Sequence, residues 1–310
     1  KMNTETNHPL SKILESGEKT PPPEHTSQPP DETTTIDAFS QESPGESVED
    51  KELAGAMGAQ LAKLADVFVN EAFASCHTYE EASTCAVARL LPCYAGLYLQ
   101  KEVSMLGAVL DNPQRPLTLI ISGAKMETKV PIIEFFLGKA DDILLGGAIA
   151  NTVLAAIGKP IGHSLYEPEF TKKAEEILRE AATKGTRIHV PVDAVLGKTP
   201  DDSTPVRDVS VAQIADEMCI FDAGVASLKE YGDVLMAAKT IVWNGPIGLY
   251  EKEPYSQGTI DVARHVAAAT KSGALTIVGG GDTIDFHKRY SLDLASYSFV
   301  STGGGAMLEF

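Results

Sequence analysis

The sequence predicts an α/β protein built on a doubly wound, mainly parallel sheet. Beyond residue 113, short apolar strands alternate with amphipathic helices, which is the pattern of strand–helix–strand crossovers. Glycine-rich turns follow most of these strands and are typical of strand-to-helix connections in such sheets. The 310 residues are 43% apolar and 22% charged, which is enough for a large core in one or two domains. Together these observations indicate a Rossmann-like architecture.

Short apolar runs and helical periodicity define the individual elements. Candidate strands lie at residues 117–121, 142–145, 187–190, 219–222, 240–243, 275–278 and 297–300. The apolar stripe of Leu99, Val103, Leu106 and Leu110 predicts a helix over 98–110, which Asp111-Asn112-Pro113 ends. Further helices are predicted at 51–65, 170–183 and 259–270, and a short buried strand is predicted at 66–70.

Composition argues against several classes of protein. The formal charge of −17 disfavours a general nucleic-acid binder, which needs a basic face. The apolar runs are too short to cross a bilayer and no signal-like segment lies near Lys1, so we expect a cytoplasmic protein with no membrane contact. The four cysteines lack CxxC spacing and the seven histidines lack an HExxH pair, which disfavours disulfides and structural zinc.

Residues 1–50 differ in composition from the rest of the chain. They carry eleven acids against three lysines, together with seven prolines and thirteen serines and threonines. Such a segment cannot bury enough apolar surface to offset the entropy lost on ordering. We therefore expect a disordered acidic tail, with a docking segment for a partner as the alternative. The regular pattern of helices and strands begins at residue 51.

Five glycine turns follow strands of the predicted parallel sheet. They are Ser122-Gly123-Ala124-Lys125, Gly146-Gly147-Ala148, Asn244-Gly245-Pro246, Gly279-Gly280-Gly281-Asp282 and Ser301-Thr302-Gly303-Gly304-Gly305. In a parallel sheet all these turns lie on the edge where ligands bind. Glycine lets backbone N–H groups approach a ligand closely, and the helix N-termini that follow favour anions. The sequence therefore predicts an anion site at this edge.

The charged residues in these turns indicate which anion binds. The glycine run fails GxGxxG because Ile284 occupies the last glycine position, and no GxxxxGK[ST] motif occurs. Lys125 and Lys129 lie four residues apart, and we place both in the opening turn of a helix, where lysine is disfavoured unless an anion is bound. Two roles suit Asp282: capping of a helix or, with phosphate nearby, binding of magnesium.

The motifs occur in a fixed order along residues 50–310. They are Val69-Asn70-Glu71-Ala72-Phe73, Ser122-Gly123-Ala124-Lys125 with Lys129, Gly146-Gly147, Val242-Trp243-Asn244-Gly245-Pro246-Ile247-Gly248, Gly279-Gly280-Gly281-Asp282-Thr283 and Ser301-Thr302-Gly303-Gly304-Gly305. This series resembles the phosphoglycerate kinase family. The resemblance implies an incomplete N-terminal substrate domain at 51–94, an interdomain helix at 95–112 and a nucleotide-binding domain at 113–310. It also implies reversible phosphoryl transfer from 1,3-bisphosphoglycerate to MgADP, giving 3-phosphoglycerate and MgATP in glycolysis.

The resemblance also implies roles for individual residues. The residues expected to bind ADP or ATP are Gly123, Ala124, Gly146, Gly147, Asn244, Gly248, Leu249, Glu251, Gly280, Gly281, Asp282 and Thr283. Among them Glu251 accepts from ribose hydroxyls, Asn244 touches the phosphates and Asp282 holds Mg²⁺. The residues expected to stabilise the transferring phosphoryl group are Lys125, Lys129, Gly303, Gly304 and Gly305. Phosphoryl transfer depends chiefly on positioning and positive charge, which these residues supply.

The chain departs from the family pattern mainly on the side of the acid substrate. The family's Arg-x-Asp-x-Asn strand has no counterpart in residues 1–50, and its His-Arg pair for the substrate phosphate is His77-Thr78 here. His77 is therefore the remaining substrate candidate. Ser122 stands where glycine is usual and Val225 where proline is typical. The sequence also stops before the family's C-terminal segment, so we expect nucleotide binding to be retained and turnover by this chain to be impaired.

Two interpretations from different classes follow. In the first, the chain is a phosphoglycerate kinase with a truncated or divergent N-terminal domain, acting as a monomer on small-molecule substrates and adenine nucleotide. In the second, it is a non-catalytic relative that binds ADP or ATP and acts through partners. A nicotinamide-dependent dehydrogenase is a distant third, because its glycine fingerprint is missing.

Overall fold

The structure is a computed structural model that describes residues 48–76, 82–304 and 306–309. The predicted acidic tail lies outside the described residues as far as position 47, and so do His77, Thr78 and Gly305. All described residues belong to one compact unit, Glu46–Phe310. The proposed division of this unit at residues 94 and 112 stays a prediction.

The described elements match most of the predicted ones. The strands are β1 (Phe68–Asn70), β2 (Cys93–Ala95), β3 (Leu117–Ile121), β4 (Asp142–Leu145), β5 (Arg187–His189), β6 (Asp193–Gly197), β7 (Val206–Ser210), β8 (Cys219–Ala223), β9 (Thr240–Asn244), β10 (Leu275–Gly279) and β11 (Phe299–Val300). The helices are α1 (Val48–Leu61), α2 (Leu97–Asp111), α3 (Val130–Phe136), α4 (Gly147–Ala156), α5 (Thr171–Lys184), α6 (Val225–Ala237), α7 (Gln257–Lys271), α8 (Gly281–Arg289) and α9 (Ala306–Glu309). The helix α1 begins three residues earlier than predicted, at Val48, and continues as a 3₁₀ turn over Ala62–Leu64.

The centre of the described fold is a parallel sheet of six strands. Its order is β11-β10-β9-β3-β4-β5, and every neighbouring pair is parallel. The direction in which the chain adds strands therefore reverses between β3 and β9, as in the Rossmann order 3-2-1-4-5-6. At the end of β3, Ile121 pairs with Leu145 on one side and with Asn244 on the other. The predicted α/β fold with a parallel sheet is confirmed.

Side chains of the central strands alternate between two cores. In β3, Leu117, Leu119 and Ile121 pack on the face covered by α2, α3, α4 and α5. Ile120 packs on the opposite face, which α6, α7 and α8 cover. These strands are buried on both faces and therefore read as continuous apolar runs, as central parallel strands usually do. Helices on both faces make the sheet doubly wound.

The position of β8 corrects the sequence prediction. The pattern at 219–222 predicts a strand of the parallel sheet, whereas β8 pairs antiparallel with β6 in a separate sheet of order β7-β6-β8. No strand was predicted from the sequence at the positions of β6 and β7. All residues of β6 are buried and those of β7 are largely exposed, so neither strand alternates between a buried and an exposed side.

Two glutamates connect α2 with neighbouring segments of the fold. β1 and β2 pair in parallel, and α2 follows β2 directly. The Glu71 carboxylate accepts the backbone N–H of Leu99 at 3.0 Å, which satisfies a free donor in the first turn of α2. Glu102, fully buried on α2, accepts the N–H of Thr302 at 2.8 Å. The helix α2 thus connects the segment after β1 with the glycine loop after β11.

A charged cluster holds the edge strand β5 in place. Asp142, at the start of β4, accepts two hydrogen bonds of 2.7 Å from Arg187. Nε2 of His189 lies 2.8 Å from the same carboxylate, and its Nδ1 lies 2.7 Å from Glu230 on α6. The hydrogen bond to Asp142, aided by Glu230 and opposed by burial, raises the pKa of His189 above 6.5. Protonation of His189 therefore strengthens the contacts that join the sheet edge to α6.

We expect this cluster to make stability pH-dependent. Because the pKa of His189 is higher in the folded state, its contribution is complete below about pH 6.5 and is lost as the pH rises through the folded pKa. Replacing His189→Gln should lower the free energy of unfolding by about 2 kcal/mol at pH 6 and by less at pH 9. Urea unfolding at both pH values measures this, with exposed His163→Gln as the control. An equal loss at both pH values would contradict it.

Candidate active site

A cavity of about 390 Å³ opens at the carboxyl ends of β3, β4 and β9. This is the point where the strand order reverses, which is the usual ligand site of an open parallel sheet. The predicted nucleotide-binding residues that line the cavity are Gly123, Ala124, Gly147, Gly248, Leu249, Glu251 and Asp282. The antiparallel sheet contributes the far wall through Phe221 and its neighbours on β8.

Three polar residues form a cluster beside the cavity. Asn244 ends β9 and is 5% exposed, and its Oδ1 accepts a hydrogen bond of 2.8 Å from Lys129 Nζ. Its Nδ2 is buried and has no hydrogen-bond partner among the described residues. Burial lowers the pKa of the Lys129 ammonium, and the nearby Asp282 carboxylate opposes that shift. The cluster therefore offers a half-buried cation and a free buried donor next to an exposed carboxylate.

Lys125 and Lys129 do not share the opening turn of a helix, which corrects the sequence prediction. The prediction places Lys125 and Lys129 in one helical turn, whereas α3 begins at Val130 and Lys129 is its N-cap residue. A turn closed by the hydrogen bond from Lys129 N to Met126 O precedes the helix, and Lys125 is exposed before that turn. Pro131 at the helix start favours this position for the N-terminus. The spacing of four residues therefore does not place the two lysines on one helix face.

Two buried hydroxyl groups hold the turns around the cavity. The Oγ1 of Thr283 accepts the backbone N–H of Gly245 at 2.9 Å, so this hydroxyl supports the turn after β9. The Oγ of Ser122 donates to the carbonyl oxygen of Pro246 at 2.5 Å and thereby links the turns after β3 and β9. A Cβ atom on Gly146 would lie only 2.7 Å from this Ser122 oxygen. Gly146 therefore makes room for the link instead of lining the cavity.

Two glycines are required by close approach and backbone conformation together. Gly280 has φ of 96°, and a Cβ there would lie 3.0 Å from Nδ2 of Asn244. Gly147 has φ of 60°, and a Cβ there would lie 2.8 Å from the carbonyl oxygen of Gly123. Larger residues would be strained at both positions. Gly281, which begins α8, is exposed and keeps the helix N-terminus open.

The glycine loop after β11 is fixed by residues from the N-terminal part of the chain. A Cβ on Gly303 would lie 2.5 Å from the ring of Phe73, so the ring packs directly against this backbone. Gly304 adopts a left-handed conformation with φ of 54°. Glu102 accepts from both the N–H and the hydroxyl of Thr302. Sequence reasoning missed Glu102, because one glutamate in an amphipathic helix carries no distinguishing pattern.

Sequence reasoning also missed Asp222, which lines the cavity at the end of β8. Its side chain accepts N–H groups of Gly258 at 2.7 Å and Ala223 at 2.9 Å. Burial raises the pKa of Asp222 to about 7, and the Gly258 N–H opposes that shift. Next to Gly258, Thr259 accepts the N–H of Gly248 at 3.2 Å. The first turn of α7 therefore holds both Asp222 and the predicted nucleotide loop. The sequence feature that could have identified Asp222 is its position as an acidic residue at the end of the predicted strand 219–222.

The family model described as phosphoglycerate kinase matches residues 39–310 of this chain. The chain belongs to the phosphoglycerate kinase family. The cavity and the polar cluster beside it therefore lie in a phosphoglycerate kinase fold.

Individual phosphoglycerate kinases agree with this assignment. The phosphoglycerate kinase of Chloroflexus aurantiacus is 42% identical over 254 residues, which cover 82% of this chain and 63% of the relative. That of Sphingopyxis alaskensis is 39% identical over 268 residues, or 86% of this chain and 66% of the relative. The chain therefore spans less than two thirds of the length of these relatives.

Two solved phosphoglycerate kinases share the fold. The structure from Coxiella burnetii has a TM-score of 0.76 at 40% identity and covers 84% of this chain and 66% of that one. The structure from Pyrococcus horikoshii has a TM-score of 0.73 at 30% identity, and the match covers 84% of this chain and 65% of that one.

Among the described residues, no helix combines the length and the apolar character that a membrane span needs.

Two of the departures expected from the resemblance, Ser122 and Val225, lie among the described residues, and each makes a hydrogen bond there. Ser122, where glycine is usual, uses its hydroxyl for the link to the turn after β9. Val225, where proline is typical, donates its backbone N–H to the Asp208 carboxylate at 2.9 Å. A proline at position 225 could not make this hydrogen bond. Ser122 and Val225 thus each take part in a hydrogen bond that links them to another turn or strand.

We expect Asp222 to make stability fall between pH 4 and pH 7. Its pKa rises from 3.8 to about 7 on folding, so the folded state binds more protons in this window. In the wild type this dependence changes the free energy of unfolding by at most about 1.4 kcal/mol per pH unit. The variant Asp222→Asn stays neutral and should lose this dependence. Urea unfolding at pH 5 and pH 7 measures the slope, and the exposed Asp216→Asn variant serves as control. Parallel pH curves for wild type and Asp222→Asn would refute the assignment.

Proposed function

We propose that this chain binds MgADP and MgATP and serves the phosphoglycerate kinase reaction, the reversible transfer of a phosphoryl group from 1,3-bisphosphoglycerate to MgADP. The observation that carries the proposal is the cluster of Lys129, Asn244 and Asp282 beside the cavity. A buried amide donor without a partner is costly unless a ligand pairs with it. Phosphate oxygens are acceptors of the required kind, and the family membership supports the nucleotide as their source.

The phosphate end of the nucleotide lies at this cluster. Nδ2 of Asn244 donates to a phosphate oxygen, and the Lys129 ammonium supplies charge from a half-buried position. The N-terminus of α8, which opens after Gly280, adds backbone N–H groups that favour an anion. Lys125 is exposed in its loop and acts on the transferring phosphoryl group from the solvent side. Positive charge held in position is the main demand of phosphoryl transfer.

Asp282 suits a magnesium ion that is shared with the nucleotide. Among the described residues, no three histidine, cysteine, aspartate or glutamate side chains converge into a metal site. Mg²⁺ typically takes one or two carboxylates and completes its shell with phosphate oxygens and water, so a single carboxylate at the phosphate end fits. The ion would neutralise charge that develops on the phosphate oxygens. Thr283 holds the turn next to it through Gly245.

The nucleoside occupies the rest of the cavity. Glu251 accepts from the ribose hydroxyls, and Gly248 and Leu249 complete that wall. Gly123, Ala124 and Gly147 line the opposite side, while Gly146 supports them from behind. The mostly apolar lining agrees with a flat aromatic base, because nucleotide sites combine apolar walls with a few polar groups.

The acid substrate and the setting of the reaction belong to the same proposal. The N–H groups of Gly303 and Gly304 approach the transferring group. Gly305 and His77, which lie outside the described residues, stay candidates for the transferring group and for the substrate phosphate respectively. We place the protein in the cytoplasm as a monomer that acts in glycolysis, with no nucleic-acid or membrane partner. Thr78 stands where the family's arginine is expected, so the substrate side is weaker than the nucleotide side.

The first test concerns the nucleotide and its metal ion. Calorimetry should detect binding of MgADP, and Asp282→Ala should weaken MgADP binding about tenfold or more while changing metal-free ADP binding less. The control is Asp233→Ala, an exposed aspartate on α6 paired with Lys229. Absence of nucleotide binding with magnesium present would refute the proposal. Equal losses with and without metal would refute Asp282 as the metal ligand.

A second test separates the kinase from a non-catalytic nucleotide-binding relative. A coupled assay should show ATP consumption that depends on 3-phosphoglycerate and is slower by orders of magnitude than in the Chloroflexus aurantiacus relative, because loss of positioning contacts costs several kcal/mol. Thr78→Arg alone should restore little activity, since one group does not rebuild the substrate side. Near-normal turnover would contradict the inference that the acid substrate is bound weakly. Nucleotide binding with no turnover at all would favour the non-catalytic relative.

A further inference from the structure

A hydrogen bond that links the turn after β9 to the first turn of α8 is held at both of its ends. This link is the contact of 2.9 Å in which the Gly245 N–H donates to the Thr283 hydroxyl. The carbonyl oxygen of Gly245 accepts from the Trp243 indole N–H at 2.8 Å. The carbonyl oxygen of Thr283 lies 2.6 Å from Nδ1 of His287. Trp243 and His287 therefore fix the two sides of one link.

The side chains of Trp243, His287 and Tyr297 form a ring cluster behind this link. The centroid of the His287 ring lies 5.4 Å from that of Trp243 and 5.2 Å from that of Tyr297, and both pairs meet edge to face. Trp243 and His287 are fully buried, and Tyr297 is 7% exposed. The three rings come from β9, from α8 and from the segment before β11. The ring cluster thus joins three segments that adjoin the glycine turns of the site.

Hydrogen bonding fixes where His287 carries its proton. A carbonyl oxygen can only accept, so Nδ1 donates to Thr283. Burial lowers the pKa of His287 below 6.5, and the hydrogen bond to Thr283 opposes that shift. The ring is therefore neutral at pH 7, and its Nε2 is an acceptor. Nε2 lies 2.7 Å from the Tyr297 hydroxyl, which donates to it, so both ring nitrogens are used.

Filling of the core does not by itself require this polar pair. The rings lie in the apolar core on the face of the sheet that α6, α7 and α8 cover, where apolar side chains of similar size would occupy the same space. Replacing both members of a buried hydrogen-bonded pair by apolar groups is often nearly neutral for stability. The pair adds direction, because hydrogen bonds constrain angles and distances whereas the hydrophobic effect is non-directional.

We propose that His287 and Tyr297 are positioning residues, which hold the first turn of α8 at the distance from the turn after β9 that a magnesium–phosphate group needs. The inference rests on the proposed nucleotide site and deepens it. Neither side chain touches the nucleotide in this proposal. Both act through the backbone of α8 and through the link to the turn after β9.

The distance matters because each side of the link adjoins a group proposed to hold the ligand. Asp282, the proposed magnesium ligand, precedes Thr283, and Asn244, the proposed phosphate donor, precedes Gly245. Mg²⁺ demands near-ideal octahedral geometry, so its binding is sensitive to a small displacement of these groups. The proposed nucleoside wall at Gly248 is held instead by the first turn of α7. Loss of the polar pair should therefore affect the phosphate end and spare the nucleoside end.

The test removes the polar pair while the space stays filled. In the double variant His287→Leu with Tyr297→Phe, urea unfolding should give a free energy of unfolding close to that of the wild type, because donor and acceptor are removed together. Calorimetry on the whole chain should show MgADP binding weakened about tenfold, as is common when an outer partner of a metal site is lost. Adenosine lacks the phosphates, and its affinity, measured by ligand-observed NMR, should stay at the wild-type value.

The matched control is Thr270→Val, which removes a hydroxyl hydrogen-bonded at 2.7 Å to Thr276 near the start of β10, away from the site, and should leave MgADP binding unchanged. Tyr297→Phe alone keeps all three rings and replaces the double variant should that one not fold, with the same selective loss expected. Wild-type MgADP affinity in the folded variant, or equal losses for MgADP and adenosine, would overturn the inference. Failure of the wild type to bind MgADP would instead refute the proposed nucleotide site itself.

Discussion

The parallel pairing of β3 with β9 places together residues that are more than a hundred positions apart in the sequence. The register runs from Leu117 opposite Thr240 to Ile121 opposite Asn244. The next residue, Ser122, donates its backbone N–H to the Asn244 carbonyl and its hydroxyl to Pro246. Chain order reverses at this pair, so the turns that follow diverge to opposite sides and leave the cavity between them. A shift of register here would displace both walls of the site.

Around this pair the fold tolerates groups that a purely structural core would avoid. Asn244 keeps a buried donor without a described partner, Lys129 is partly desolvated, and Asp222 is a buried carboxyl that titrates near neutral pH. Each carries a free-energy cost that the surrounding core must offset, since burial penalises unpaired polar and charged groups. The two apolar cores on either side of the sheet provide that stability. The gathering of such groups around one cavity is typical of a binding site.

The glycine loop after β11 depends on a second set of contacts. Phe73 packs against Gly303, and Glu102 on α2 receives the N–H and hydroxyl of Thr302. Both contacts come from the part of the chain before β3, whereas the cavity itself is built from β3 onwards. The loop proposed to contact the transferring group is therefore positioned by the N-terminal segment, and the nucleotide site by the sheet.

Local sequence determined much of this protein. Apolar runs bounded by glycine turns located β3, β4, β9 and β10, because a strand buried on both faces must be apolar along its length. The glycine turns placed the predicted site on one sheet edge, since parallel strands all end on the same side. The order of the motifs then identified the family, which the comparisons confirmed.

Tertiary structure decided what depends on distant partners. The strand β8 joins an antiparallel sheet because β6 lies beside it, and β6 carries no alternating pattern that could reveal this. Lys125 and Lys129 do not share a helical turn, because α3 begins only at Val130, although their spacing alone fits a helix. The charge state of Asp222 depends on its burial and on the N–H of Gly258, thirty-six residues away in the sequence. Desolvation and hydrogen bonding act through space, so the sequence names these residues while only the packed fold sets what they can do.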